Sequence, residues 1–93
     1  MNGKAFVEDC LSDDVARKLA CVSYITGAAD MISVVAVVNP AGWAAAVCIP
    51  AETTVGKLQD VVVNHLKAHP EETHSAAVVQ VTLALHEAFP CQT

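Results

Sequence analysis

The sequence predicts an all-α protein: a small bundle of about four helices with one long central helix, stapled by two disulfides. Three observations predict it. Apolar residues between Val15 and Ala36 recur at three- and four-residue steps, the period of a helix face. Prolines at 40, 70 and 90 each close a periodic segment, because a proline disfavours the helical state of the residue before it. Cysteines stand at 10, 21, 48 and 91, an even count in a chain of 93 residues, which reads as a disulfide framework. No pair has the C-x2-4-C spacing with which two thiolates hold one zinc.

Residues 5–11 form a short turn or helix that carries Phe6 and Cys10 toward the core. Ser12 is the expected N-cap of the next helix, with Asp13 and Asp14 in its first turn, where carboxylates favour the helix dipole. That helix runs from about residue 13 to residue 38, and Val15, Leu19, Val22, Ile25, Ala29, Ile32 and Ala36 make its inward face. Gly27 inside it is expected to pack closely against a neighbouring helix. Asn39-Pro40 and Gly42 end it, and residues 41–51 form the main connection. A cap at Thr53 or Thr54 starts the third helix, which reaches about residue 68 with Val55, Leu58, Val62, His65 and Leu66 on one face. His69-Pro70 breaks it, and residues 71–73 make a turn. The fourth helix follows, with Ser75 as its expected cap and Val78, Val81, Leu85 and Ala88 facing inward, until Pro90 stops it. The valine runs 34–38 and 61–63 have strand propensity. Each lies inside a long periodic segment without turn residues, and packing lets helices tolerate valine.

Composition limits the function classes. The length suits a single helical domain, 1–93, with a modest core. Apolar residues reach 54% and charged residues only 16%, against about 45–50% and about 25% in ordinary domains. A helical monomer of this size cannot hide so much valine and alanine, so part of the apolar surface faces a second copy or another protein. The net charge of -5 argues against nucleic acid, which needs a basic footprint, and against anionic membrane surfaces. Asp30, Asn39, Pro40 and Gly42 interrupt the most membrane-like stretch, 28–50, so no membrane insertion is expected. The first ten residues lack the apolar run of a signal peptide, and disulfides without one suggest a leader already removed.

Chemistry-bearing patterns are weak. His65 and His69 stand four apart, a spacing that can present two imidazoles to a metal, but no H-E-x-x-H pattern accompanies them and His69 falls at a helix end. They read as surface or cap histidines; no metal and no cofactor are expected. Asp9, Asp13 and Asp14 read as a solvated helix start. A Cys91–His86 nucleophile pair has nothing to activate the thiol, and phosphate loops and a GxSxG elbow are absent. The sequence gives no reason for catalysis. Tyr24, one turn after Cys21, is placed to pack over a disulfide. Trp43, in the glycine-containing connection, suits either a core anchor or a partner contact.

Five pieces occur in order: Cys21-x-x-Tyr24-Ile25-x-Gly27-x-x-Asp30, Cys48-Ile49-Pro50, Thr54-Val55-Gly56-Lys57-Leu58, His69-Pro70-Glu71-x-x-His74 and Phe89-Pro90-Cys91. The series, over about residues 10–91, resembles the Rap/Tai group of immunity proteins of bacterial type VI secretion. The resemblance implies an all-helical, disulfide-bonded periplasmic protein, usually dimeric, that binds a cell-wall amidase toxin and blocks its active site. Acid-stress periplasmic chaperones of the HdeA type share the small helical disulfide architecture and supply the alternative function, beside a purely structural periplasmic module. The segment 31–47 departs from the group in its richness in valine and alanine.

Three expectations follow. The four cysteines pair as Cys21–Cys48 and Cys10–Cys91, the connection returning Cys48 to the long helix and the last bridge closing nearly the whole chain. A homodimer buries the apolar surplus of Met31, Ile32, Val34, Val35, Ala36, Val37 and Val38. Exposed connections enter the toxin cleft: 39–47 with Trp43, and 69–74 with Glu71 and Glu72, whose charges suit a basic rim or a catalytic histidine.

Overall fold

The fold is given by a computed structural model that describes residues 1–91. Helix α1 (Gly3–Leu11) begins where the Asn2 side chain accepts the Ala5 N–H at 2.8 Å, and it buries Phe6 and Cys10. Gly3 is buried too, and a Cβ there would run into the Ser75 carbonyl oxygen, so only glycine permits this approach of α1.

Helix α2 (Val15–Val38) has 24 residues, about 36 Å at 1.5 Å per residue, and so spans the longest dimension of the molecule, 38 Å. Its N-cap is Asp14, whose carboxylate accepts the Arg17 N–H at 3.3 Å. Ser12, the expected cap, closes α1 instead, and its hydroxyl accepts the Asp14 N–H at 3.0 Å. This short link folds α1 and α2 into a hairpin. The buried line of α2 is Cys21, Ile25, Ala29 and Ile32. Val22 and Ala36 are half-buried, but Val15 and Leu19, expected inside, are 80% and 62% exposed. At 3.6 residues per turn they lie about 80–120° around the helix from Ile25. Gly27 is also exposed, with no atom within 4 Å of where a Cβ would stand, so it packs against nothing within this chain. By length and composition α2 could cross a membrane, in a window beginning earlier than the interrupted stretch 28–50. Here it is built into the bundle through its buried line and a disulfide to α1.

The chain then turns at Pro40 and enters a 3-10 turn, Trp43–Ala46, that rests on α2 through the fully buried Ala44. Helix α3 (Val55–Ala68) starts as expected at Thr54, whose hydroxyl accepts the Lys57 N–H at 3.1 Å. It buries Leu58, Val62, His65 and Leu66, while Val55 is 46% exposed at its first turn. His69 closes α3, and Pro70 opens a second 3-10 turn, Pro70–His74. Helix α4 (Ala77–Ala88) follows from Ala76 without a side-chain cap; Ser75 ends the preceding turn. Its inward row is Ala77, Gln80, Val81, Ala84 and Leu85, so Val81 and Leu85 face the core as expected. Val78 and Ala88 point outward. Gln80 shares the inward row with Ala77 and Ala84, its side-chain amide donating to the Glu72 carbonyl at 2.7 Å.

Two disulfides form, with a different pairing from the one expected: Cys10–Cys21 and Cys48–Cys91, with Cα separations of 5.0 and 4.9 Å. The hairpin explains the first, since the last turn of α1 lies against the start of α2. An antiparallel bridge of Val47 with Pro90 explains the second. There the Cys48 N–H donates to the Phe89 carbonyl at 2.8 Å, and the Cys91 N–H to the Ala46 carbonyl at 3.1 Å. Tyr24 packs against Phe6, ring centroids 5.2 Å apart, one turn along each helix from the Cys10–Cys21 bond. The core drawn from all four helices includes Phe6, Ile25, Val62, Val81 and Leu85.

Candidate interaction surface

Because Ala44 is the residue of the first 3-10 turn that buries itself, its neighbour Trp43 is directed outward and is 58% exposed. The indole stands beside the outer face of α4. Val78, Val79, Thr82 and Leu83 line a shallow groove of about 220 Å³ with it. A second, of about 240 Å³, continues past Ala46, Val47 and His86. Trp43, Val78, Val79 and Leu83 are each more than two-fifths exposed. Trp43 is therefore exposed rather than a core anchor. Tryptophan is enriched among the residues that contribute most to protein binding when a partner buries them.

The two acidic residues of the second turn differ from each other. Glu71 is exposed, and hydrogen bonding holds its carboxyl below the usual 4.5, first from the backbone and then from the His69 ring. Glu72 is turned inward. Its carboxylate oxygens accept the His65 Nε2–H at 2.9 and 3.1 Å, and its own carbonyl accepts from Gln80. Glu71 is bonded to His69 but stands in solvent, whereas Glu72 is engaged with the buried His65.

His65 is not a surface residue: its side chain is 5% exposed. The His69 ring stacks on it with centroids 4.4 Å apart, and His69 Nδ1 lies 3.1 Å from Glu71 and 3.5 Å from Glu72. On the other side, the Glu87 carboxylate stands 3.8 Å from His65 Nδ1 and 4.0 Å from His69 Nε2. Among the described residues, His65 Nδ1 has no hydrogen-bond partner. The apolar period grouped His65 with Leu58, Val62 and Leu66, but the expectation of a surface or cap histidine is overturned by its burial on that face. Its link to Glu72 and Gln80 crosses Pro70 and carries no periodic signal. Of the early acidic residues, Asp14 caps α2 and Asp9 lies 3.8 Å from Arg17.

A third exposed feature lies on α2. Gly27, Met31, Val34 and Val38 follow one another at four-, three- and four-residue steps, a single stripe, and all four are exposed. Val37 beside it is 82% exposed. Ile32 and Val35, which the expected dimer face included, belong with the core instead: Ile32 is buried and Val35 packs against it.

The family model of the Rap1a immunity proteins matches residues 2–91, a span that contains all five ordered motifs. No curated protein and no solved structure matches the chain.

Proposed function

The chain belongs to the Rap1a immunity protein family, and we propose that it works in the periplasm, binding a cognate peptidoglycan amidase effector of type VI secretion and covering its active site without catalysis of its own. The observation that carries this reading is the exposed Trp43 beside Val79 and Leu83, together with the family match. An inhibitor needs a rigid surface complementary to one enzyme, and ordering that surface in advance lowers the entropic cost of binding. Cys48–Cys91 and the Val47–Pro90 bridge fix the chain beside the end of α4, immediately after the turn that carries Trp43. Two disulfides also suit an oxidising compartment. Glu71 at the rim and a net charge of -5 would steer the protein toward a basic cleft edge.

The test is inhibition of purified type VI amidase effectors, scored by peptidoglycan cleavage, followed by affinity measurement with the effector that responds. Trp43→Ala should weaken binding at least tenfold, about 1.4 kcal/mol, and Glu71→Lys by less, as expected of a rim charge. Unchanged affinity in a folded Trp43→Ala protein would move the interface elsewhere. Inhibition of no amidase would remove that toxin class.

The same reading includes a homodimer through the stripe Gly27–Met31–Val34–Val38, where the bare Gly27 permits close approach of a second helix. Light scattering at tens of micromolar (on the order of the concentration at which an obligate dimer persists) should give twice the chain mass. Val34→Asp should halve it. A monomeric wild type would refute the dimer, and an undisturbed dimer in Val34→Asp would place its interface off this stripe.

A further inference from the structure

We propose that His65, His69 and Glu72 form a binding site for a divalent first-row transition ion, with zinc the best fit to two imidazoles and a carboxylate. The three residues present one ligand atom each within 4.8 Å of one another. A four-coordinate ion with bonds of about 2.0–2.1 Å has ligand–ligand edges of about 3.3–3.4 Å. Glu72 Oε2 lies 3.1 Å from His65 Nε2 and 3.5 Å from His69 Nδ1, close to those edges, and the ligand nitrogens of the two rings stand within 4.8 Å of each other, so the ion would draw the rings together. Glu71, 3.1 Å from His69 Nδ1, stands where it or a water would complete the shell. The donors come from the last turn of α3, its cap His69 and the 3-10 turn that Pro70 starts, and the Gln80 amide of α4 holds that turn through the Glu72 carbonyl.

The buried Nδ1 of His65 is the independent sign. With the Nε2 proton given to Glu72, Nδ1 is a lone pair without a partner, in a side chain 5% exposed. An ion on Nε2 reverses this. The proton then resides on Nδ1 and is donated toward Glu87, now 3.8 Å away, which is the carboxylate–histidine–metal arrangement that orients ligand imidazoles. For a neutral His65 the change is one of tautomer, with no net proton released. Three carboxylates, Glu71, Glu72 and Glu87, surround the two rings, and among the described residues no lysine or arginine pairs with them. A dication supplies the missing positive charge.

Metal-stripped protein titrated with zinc by calorimetry should bind one equivalent and gain thermal stability, and cobalt in its place should give the intense visible absorption of a four-coordinate site. His69→Gln and Glu72→Gln, each checked for folding by circular dichroism, should weaken zinc at least tenfold. Glu87→Gln should weaken it about tenfold with stoichiometry unchanged. His74→Gln with His86→Gln should leave binding intact. Absence of saturable zinc binding at about 100 µM, about a hundredfold above a micromolar Kd, would overturn the proposal. So would wild-type affinity in His69→Gln, or loss of binding in the His74/His86 variant alone.

Discussion

The two halves of the molecule are held together by different means. The α1–α2 hairpin has an apolar interior and an apolar outer stripe at the end of α2: Phe6, Cys21, Ile25 and Ile32 fill the first, while Met31, Val34, Val37 and Val38 stand in solvent. The half made of α3, the Pro70–His74 turn and α4 keeps polar groups within, Gln80 fully buried and His65 nearly so. A hydrophobic contact does not specify its partner, so the first half has apolar surface available for a second chain. Buried polar groups are costly unless matched, so the second half is ordered by a few directional bonds. The difference shows which parts of the sequence serve the fold alone. The outer residues of α2 contribute little to the interior, whereas a buried amide on α4 and a buried imidazole on α3 both hold the turn at Glu72.

Breaking the covalent closures should show the largest contrast. The Cys48–Cys91 bond spans 43 residues and Cys10–Cys21 spans 11. Loop entropy gives about 4 kcal/mol for the first and about 3 kcal/mol for the second. Denaturant unfolding of Cys48→Ala/Cys91→Ala and of Cys10→Ala/Cys21→Ala should rank in that order. The reverse order would show that the apolar hairpin depends on its staple more than the polar half does. A smaller effect distinguishes the interiors. Gln80→Leu should cost about 1 kcal/mol by removing one of the two hydrogen bonds to the Glu72 carbonyl, which keeps the Ser75 N–H. Val34→Ser on the exposed stripe should stay within about 0.5 kcal/mol for the isolated chain. Comparable losses would erase the distinction between the halves.

The smallest effect is one of pH. The Glu71 carboxyl is held below 4.5 chiefly by a backbone hydrogen bond, so its folded value is depressed. Its contribution to stability is present above the unfolded value and is lost as the pH falls through the folded one. Stability curves of wild type and Glu71→Gln should therefore differ near neutrality and converge in acid. A gap that persists at the acid end would mean that the carboxylate charge is not what Glu71 contributes.

Much of the architecture was readable in the chain because local rules decide it. Pro40, Pro70 and Pro90 end helices by sterics, Thr54 caps by its hydroxyl, and the apolar period of α3 put Leu58, Val62, His65 and Leu66 together on the inside. The inward face of α2 was not readable, because a helix apolar on all sides fits its period to several faces. Cysteine pairing failed for another reason. Four cysteines allow three pairings, and the choice depends on how α1 folds back and on where Val47 meets Pro90, neither of which is a property of spacing. On the candidate surface, Glu71 could be named from the sequence as an exposed-turn residue, whereas Trp43 suited core and surface equally, because the choice rests on Ala44 taking the buried position. Glu72 looked identical to Glu71, and its capture by a buried histidine depends on three elements packing together.

The observed pairing has a consequence for how the chain withstands cutting. Each disulfide closes a ring within its own half, and no sulfur bond passes between them. A single backbone cut between residues 11 and 20, or between 49 and 90, leaves the protein one covalent molecule. A cut anywhere from 22 to 47 leaves two, joined by packing alone. That interval holds the second half of α2 and the turn carrying Trp43. A protease acting at the exposed turn would thus release the α1–α2 hairpin as a separate piece in denaturant without reductant, whereas the same cut in a chain bridged Cys10 to Cys91 would release nothing.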